Sequence, residues 1–181
     1  RRSSDLIHYP RKNNDIQRNR ENQKNSICAL EMLKKVRGFL KPNGVLIIAI
    51  ENQIGLKYYA GTPEDHLGER MIGIEGRYQK NGPQTFGKHV LEQMLKTAGF
   101  AASEFSAPFP DYKLPITLIT QSGFNTPAFK AQDLAAQSVT KDKQFTPPYA
   151  FSQESAWGPL FDNKIALDVS NSFLITASLK D

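Results

Sequence analysis

Seven residues between positions 51 and 66 carry the chemistry of this chain: Glu51, Asn52, Lys57, Tyr58, Glu64, Asp65 and His66. Glu64-Asp65-His66 sets two carboxylates beside an imidazole, a ring that titrates near neutral pH. Such a cluster suits removal of a proton from an oxygen nucleophile, so His66 and Asp65 are the candidate catalytic pair. The plainer alternative is a surface-loop histidine bonded to Asp65. Glu51, Asn52, Lys57, Tyr58 and Glu64 are candidate substrate-binding residues, with the Tyr58 ring suited to an apolar sugar face. Glu51 has its own alternative, bonding the backbone amides of the next loop. Tyr59 has one too, packing as a loop anchor. Arg70 and Arg77 offer cations to phosphate groups or are solvated loop charges. His8 and His89 stand far from the cluster in sequence, so three scattered histidines suggest no metal site.

The elements that must position these groups start with Ser26–Leu40, where Ile27, Leu30, Leu33, Val36 and Leu40 recur at helical spacing behind Asn25 and Ser26 as caps. Pro42-Asn43-Gly44 turns the chain, with Asn43-Gly44 tolerant of positive φ. Val45–Ile50 is apolar without alternation, the pattern of a strand buried on both faces in a parallel sheet. Glu51 and Asn52 thus stand at the carboxyl end of a strand, where open α/β sheets place ligands. Residues 53–84 hold many turn residues and read as a long functional loop. Thr85 caps a helix over 86–98 that Gly99 ends in a left-handed C-cap. Residues 101–108 and 114–120 read as strands around a Pro110-Asp111-Tyr112 turn, and the prolines suggest a sheet edge. A helical stretch spans 131–139, Thr146-Pro147-Pro148 breaks the chain, and Ser152 caps a short helix limited by Pro159. Trp157 reads as a satellite core with Phe151, Leu160 and Phe161. A strong final strand covers 171–177.

The chain has 181 residues, 39% of them hydrophobic and 10% aromatic, enough for a core and against disorder throughout. Of the formal net charge of +5, a surplus of four lies in residues 1–24. That basic, partly ordered segment is set apart from a domain over 25–181, with Leu6-Ile7 and Tyr9 a short edge strand or docking segment. It lacks interleaved aromatics, so nucleic acid is not the expected partner. No run of eighteen apolar residues and no leader pattern appear, which predicts no membrane span and a cytoplasmic setting. Cys28 is the single cysteine, expected to be a buried structural thiol, and it excludes an internal disulfide.

Leu40-Lys41-Pro42-Asn43-Gly44 leading into the apolar strand resembles the "LKPGG" entry to the fifth strand of a class I S-adenosylmethionine (AdoMet) methyltransferase. More narrowly, Glu51 to Gly61 with Pro63-Glu64-Asp65-His66, and Asn171-Ser172-Phe173-Leu174-Ile175, are similar to a bacterial methyltransferase-like group that accompanies glycosyltransferases in surface polysaccharide assembly. The resemblance covers roughly 26–120 and 150–179. It implies an α/β, partial Rossmann-like methyltransferase fold: a helix–strand–helix centre with antiparallel edge strands after it.

A complete domain of that kind holds AdoMet on a Gly-x-Gly-x-Gly loop after its first strand. Gly73-Ile74-Glu75-Gly76, the nearest candidate, has no strand before it. With Arg1 in place of an initial Met, the expectation is a trimmed or truncated chain holding the C-terminal half, with AdoMet as cofactor of the complete domain and none bound by this chain alone. The implied function is methyl transfer to a sugar or polysaccharide-related acceptor, provided that an N-terminal half is supplied. The alternative is a non-catalytic interaction or oligomerisation module, with a homo-oligomer or a glycosyltransferase-containing protein as partner.

Overall fold

In the computed structural model, residues 13–79, 81–139 and 149–180 are described. The Leu6–Tyr9 segment, His8 and the Thr146–Pro148 break lie outside them.

The first helix, α1 (Asn13–Phe39), starts well before the expected Ser26. From Asn13 to Arg37 there is no Gly or Pro, and its Gln, Arg, Glu and Lys are good helix formers. Backbone propensity therefore extends the helix beyond the stretch that apolar periodicity marks. Asn25 and Ser26 are interior residues rather than caps; the Asn25 amide instead donates to Gln79 O at 3.1 Å. The turn after α1 closes through Gly44 N–H to Lys41 O, 2.8 Å, without a positive φ at Asn43 or Gly44.

Four strands, β1 (Val45–Glu51), β2 (Ala102–Phe109), β3 (Thr117–Thr120) and β4 (Ser172–Ser178), form one sheet in the order β1-β4-β2-β3. Every pairing is antiparallel. β1 and β2 consequently run parallel to one another with β4 reversed between them, so their carboxyl ends share one edge of the sheet. With helices packed on it, this is an α/β fold.

The expectation of a β1 buried on both faces is corrected. Its residues alternate, with Val45, Ile47 and Ala49 exposed and Leu46, Ile48 and Ile50 turned to the core. Among the described residues, helices cover only one face of its neighbourhood, and an unbroken apolar run cannot by itself say which faces are covered.

On the covered face, α1 supplies Leu33, and α3 (Lys88–Ala98) supplies Leu91, Met94, Leu95 and Ala98, against Phe105, Phe173, Ile175 and Ala177. The Leu, Ile, Met and Phe side chains among these each contribute about 1.5–3 kcal/mol when fully buried. The N-cap of α3 is Gly87 rather than Thr85. Thr85 Oγ1 is instead 2.6 Å from the buried Tyr78 hydroxyl. Gly99 does form the left-handed C-cap, at φ 92°.

A second cluster joins Ala107, Phe109 and Ile119 to α5 (Ala131–Ser138) and α6 (Gln153–Asp162), with Trp157 at its centre. Ser152 caps α6 by accepting from Ser155 N–H, but the helix runs on through Pro159 to Asp162. The remaining helices, α2 (Leu56–Tyr59) and α4 (Gln121–Phe124), are single turns.

Pro108 lies in β2, an interior strand rather than an edge. The β4 ladder stops at Ser106, so Pro108 pairs with Leu118 of β3 alone and is locally at an edge. Cys28, expected buried, is exposed on α1. Among the described residues, no helix is long and apolar enough to cross a membrane.

Candidate functional site

Glu51 is the last residue of β1, and its side chain is buried at the carboxyl end of the sheet. Asn52, also buried, faces the other way. Its amide donates to Asp168 O at 2.7 Å and Ser170 O at 2.8 Å, while its oxygen accepts from Ile54 N–H at 3.1 Å. Asn171 answers from the opposite strand, accepting from Lys57 N–H at 3.0 Å and donating to Pro110 O at 3.1 Å. The two asparagines therefore clamp three loops together; Asn52 binds its own chain rather than a substrate. Gly55 allows this close passage, since a Cβ there would lie 3.0 Å from Asn171 Cα.

The clamp directs α2 so that Lys57 and Tyr58 point inward. Lys57 Nζ is fully buried, 3.0 Å from Asp111, 3.6 Å from Asp65 and 3.9 Å from Glu51. The Tyr58 hydroxyl donates to Glu51 Oε2 at 3.3 Å, whereas Tyr59 is exposed instead of packing as an anchor. From the β2–β3 turn, Lys113 reaches Glu51 Oε1 at 2.5 Å and also bonds Asp65 Oδ2. Its side chain, 39% exposed, is the cluster's opening to solvent.

Glu64 is buried and structural: its Oε2 accepts from His66 N–H and Leu67 N–H, both at 2.8 Å, which fixes the turn presenting Asp65. The His66 ring is exposed, with a nitrogen within 4.8 Å of carboxylate oxygens of Glu51 and Glu64. Arg77 is held by Glu69 and Glu75, so its charge is already matched.

Three carboxylates, Glu51, Asp65 and Asp111, thus converge on two ammonium groups. Their oxygens lie within 4.8 Å of one another, close enough to share one ion, and Lys57 Nζ sits against all three as the balancing cation. Burial, then the hydrogen bond with Asp65, raises the Glu51 pKa from 4.5 to about 7. Burial would also raise Asp65, but its bonds to Glu51 and Lys113 and the charge of Lys57 outweigh that and hold it below the usual carboxylate range. Burial would lower both lysines, and the facing carboxylates reverse it, holding both ammonium groups charged. The pair Glu51–Asp65 therefore shares one proton near neutral pH, carried on Glu51.

Glu51 has a raised pKa in the folded state, so its contribution to stability is full below pH 4.5 and is lost as pH rises to about 7. A shift of that size corresponds to roughly 3 kcal/mol. Urea denaturation across this window is expected to show stability falling with pH by up to that amount, and Glu51→Gln is expected to flatten the profile. An unchanged slope in the variant would assign the pH dependence to other groups.

Asp111 and Lys113 are the site residues that sequence reasoning misses, because Pro110-Asp111-Tyr112 reads only as a turn. The signal was strand direction: once β2 runs parallel to β1, the turn after β2 must emerge beside Glu51.

No family model, no curated protein and no solved structure matches the chain.

Proposed function

We propose that this chain is the acceptor-binding half of a methyltransferase-like domain, and that the Glu51–Asp65–Lys113 cluster receives a neutral hydroxylated acceptor of the sugar class. The observation that carries the reading is the cluster itself: a buried acid at a strand's carboxyl end, opening to solvent through Lys113. With Glu51 protonated, Asp65 and Asp111 are balanced by Lys57 and Lys113 and the cluster is neutral; above about pH 7 it carries one negative charge. A phosphate gains nothing from such a site, and Arg77 is committed to Glu69 and Glu75. A hydroxyl can donate to Asp65 and accept from Lys113. The His66 ring at the rim supplies a base for the hydroxyl proton. The last strand is antiparallel to its neighbours, in keeping with the methyltransferase resemblance, although β4 lies between β1 and β2 rather than at the edge that the resemblance implies.

The glycine pair nearest to an AdoMet loop does not fit that cofactor. Gly73, the best candidate for a bare backbone cradle, is filled from within: a Cβ there would lie 2.6 Å from Gln53 O and 2.9 Å from the Tyr78 hydroxyl. The chain is therefore assigned the acceptor side alone, with the methyl donor held elsewhere.

Saturation-transfer NMR with N-acetylglucosamine as a neutral probe tests this. The expected result is weak, saturable transfer that Lys113→Ala reduces at least tenfold in affinity, with circular dichroism unchanged. Calorimetric titration with AdoMet is expected to give no binding at millimolar ligand. Micromolar AdoMet binding, or sugar transfer insensitive to Lys113→Ala, would overturn the proposal.

A second reading, a non-catalytic association module, is favoured by one observation: the exposed apolar edge at β1.

A further inference from the structure

Tyr58, the ring that the sequence offers to a sugar, is 3% exposed and spends its hydroxyl on Glu51, so it meets no ligand. A different aromatic stands at the opening. Tyr112 is half-buried on the β2–β3 turn, and the Lys113 ammonium lies over its ring, 5.6 Å from the centroid. β4 separates this part of the sheet from β1, so the place of Tyr112 does not depend on what pairs with the outer edge of β1.

Four hydrogen bonds hold the turn. Pro110 O accepts from the Asn171 amide at 3.1 Å, and Asp111 Oδ2 accepts from Lys57 Nζ at 3.0 Å. Tyr112 N–H donates to Ser172 Oγ at 2.9 Å, and Lys113 N–H donates to Asp111 Oδ1 at 2.9 Å. Ser172 is the residue opposite Glu51 in the β1–β4 ladder. The backbone of Tyr112 is therefore tied beside the acid. With the backbone held, only the side-chain torsions of the tyrosine remain to be ordered when a ligand docks.

Burial, then the charge of Glu51, raises the Tyr112 hydroxyl above its ordinary pKa; Asp111 and Asp65 add to the rise and Lys113 opposes it. The side chain thus stays neutral around physiological pH, and an uncharged ring face is kept beside the cluster.

The charged groups by themselves do not recognise a ring. Asp65 and Lys113 offer an acceptor and a donor, which any alcohol satisfies. A pyranose differs from an open-chain polyol in presenting a flat face of carbon-bound hydrogens. The face of an aromatic ring is negative and takes such groups in contact. The spacing suits both contacts at once. A hydroxyl about 2.9 Å from Lys113 Nζ leaves the adjoining sugar carbons able to sit about 3.5–4 Å from the tyrosine ring. Together those two contacts span the 5.6 Å between ammonium and centroid.

Resting on the acceptor reading above, we propose that Tyr112 is the specificity-determining platform of the site, stacking on the apolar face of a pyranose while Lys113 and Asp65 hold one of its hydroxyls. The ligand class narrows accordingly, from neutral hydroxylated acceptors to cyclic sugars with an uninterrupted apolar face. Linear polyols are rejected because they satisfy the charges and leave the ring bare.

Saturation-transfer NMR on the full chain, with N-acetylglucosamine and with sorbitol as an open-chain polyol, tests this. The sugar is expected to bind about tenfold more tightly than sorbitol, with saturation strongest on the carbon-bound protons of one ring face. Tyr112→Phe keeps the ring and is expected to bind the sugar as the native chain does. Tyr112→Ala is expected to weaken the sugar about tenfold and leave sorbitol unchanged, with circular dichroism unaltered. A merely structural tyrosine would not separate the two ligands. Weakening by Lys113→Ala but not by Tyr112→Ala overturns the platform and leaves the acceptor site standing. Equal binding of sugar and sorbitol overturns the platform too, as do equal losses in Tyr112→Phe and Tyr112→Ala. No transfer to the native chain, or transfer insensitive to both Lys113→Ala and Tyr112→Ala, overturns platform and acceptor site together.

Discussion

Replacing Lys57 by Met is expected to cost about 3–5 kcal/mol of folding stability, the usual penalty for removing one partner of a buried ion group. Lys57 is fully buried, and Asp111, Asp65 and Glu51 all lie within 3.9 Å of its ammonium group. Methionine keeps much of the volume and none of the charge, so packing loss contributes little. What remains is three carboxylates facing Lys113 alone. The deficit should depend on pH with a definite sign. Losing the cation raises the carboxylate pKa values, so protonation at acidic pH relieves the repulsion and the variant recovers part of its loss. Urea denaturation at about pH 8 and about pH 5 reads this directly. A loss below about 1 kcal/mol at both values would mean that the lysine is solvated rather than enclosed.

Trp157→Ala is expected to cost a similar amount, about 3–5 kcal/mol, by a different mechanism. Trp157 is almost wholly buried, edge-on to Phe109 with ring centroids 5.1 Å apart, and it sits among Ala107, Ile119, Ala131 and Ala135. Small neighbours cannot swing into the vacated space, so a cavity remains. Its Nε1–H has no hydrogen-bond partner among the described residues. Trp157→Phe therefore gives up no bond and should cost much less, about 1–2 kcal/mol. The two variants compared by thermal or urea unfolding separate volume from polarity. Equal losses would show that the indole has a specific partner.

What the sequence made legible was local. Pro42 and Gly44 bracket the start of β1, Gly99 ends α3, Ser152 caps α6, and the apolar run through Phe173 and Ile175 is β4. Each rests on a residue whose backbone or side-chain preference acts within a few positions. Burial was less legible. Val45–Ile50 reads as fully enclosed because all six residues are apolar, yet one face is open, since enclosure depends on what other segments cover. Cys28 is exposed for the same reason, although its apolar neighbours in sequence suggest burial. The polar first half of α1 is not legible from periodicity, which reports packing and not helicity.

The site divides along the same line. Glu51 is legible as a candidate from its place after the strand, and Asp65 from its neighbours in sequence. Asp111 and Lys113 lie about sixty positions after Glu51 in the sequence and reach the same cluster only through the strand order. Lys57 and Tyr58 read from the sequence as groups that bind a sugar, whereas in the structure both are buried against Glu51.

The acceptor site depends on Glu51 being an enclosed acid poised near neutrality. Carbon-detected NMR titration of the glutamate side-chain carboxyls, with Glu51 assigned by its loss in Glu51→Gln, measures this directly. The expected midpoint is about 7. A midpoint near the ordinary value of 4.5 would contradict the burial and the shared proton with Asp65, and with them the acceptor site built upon both.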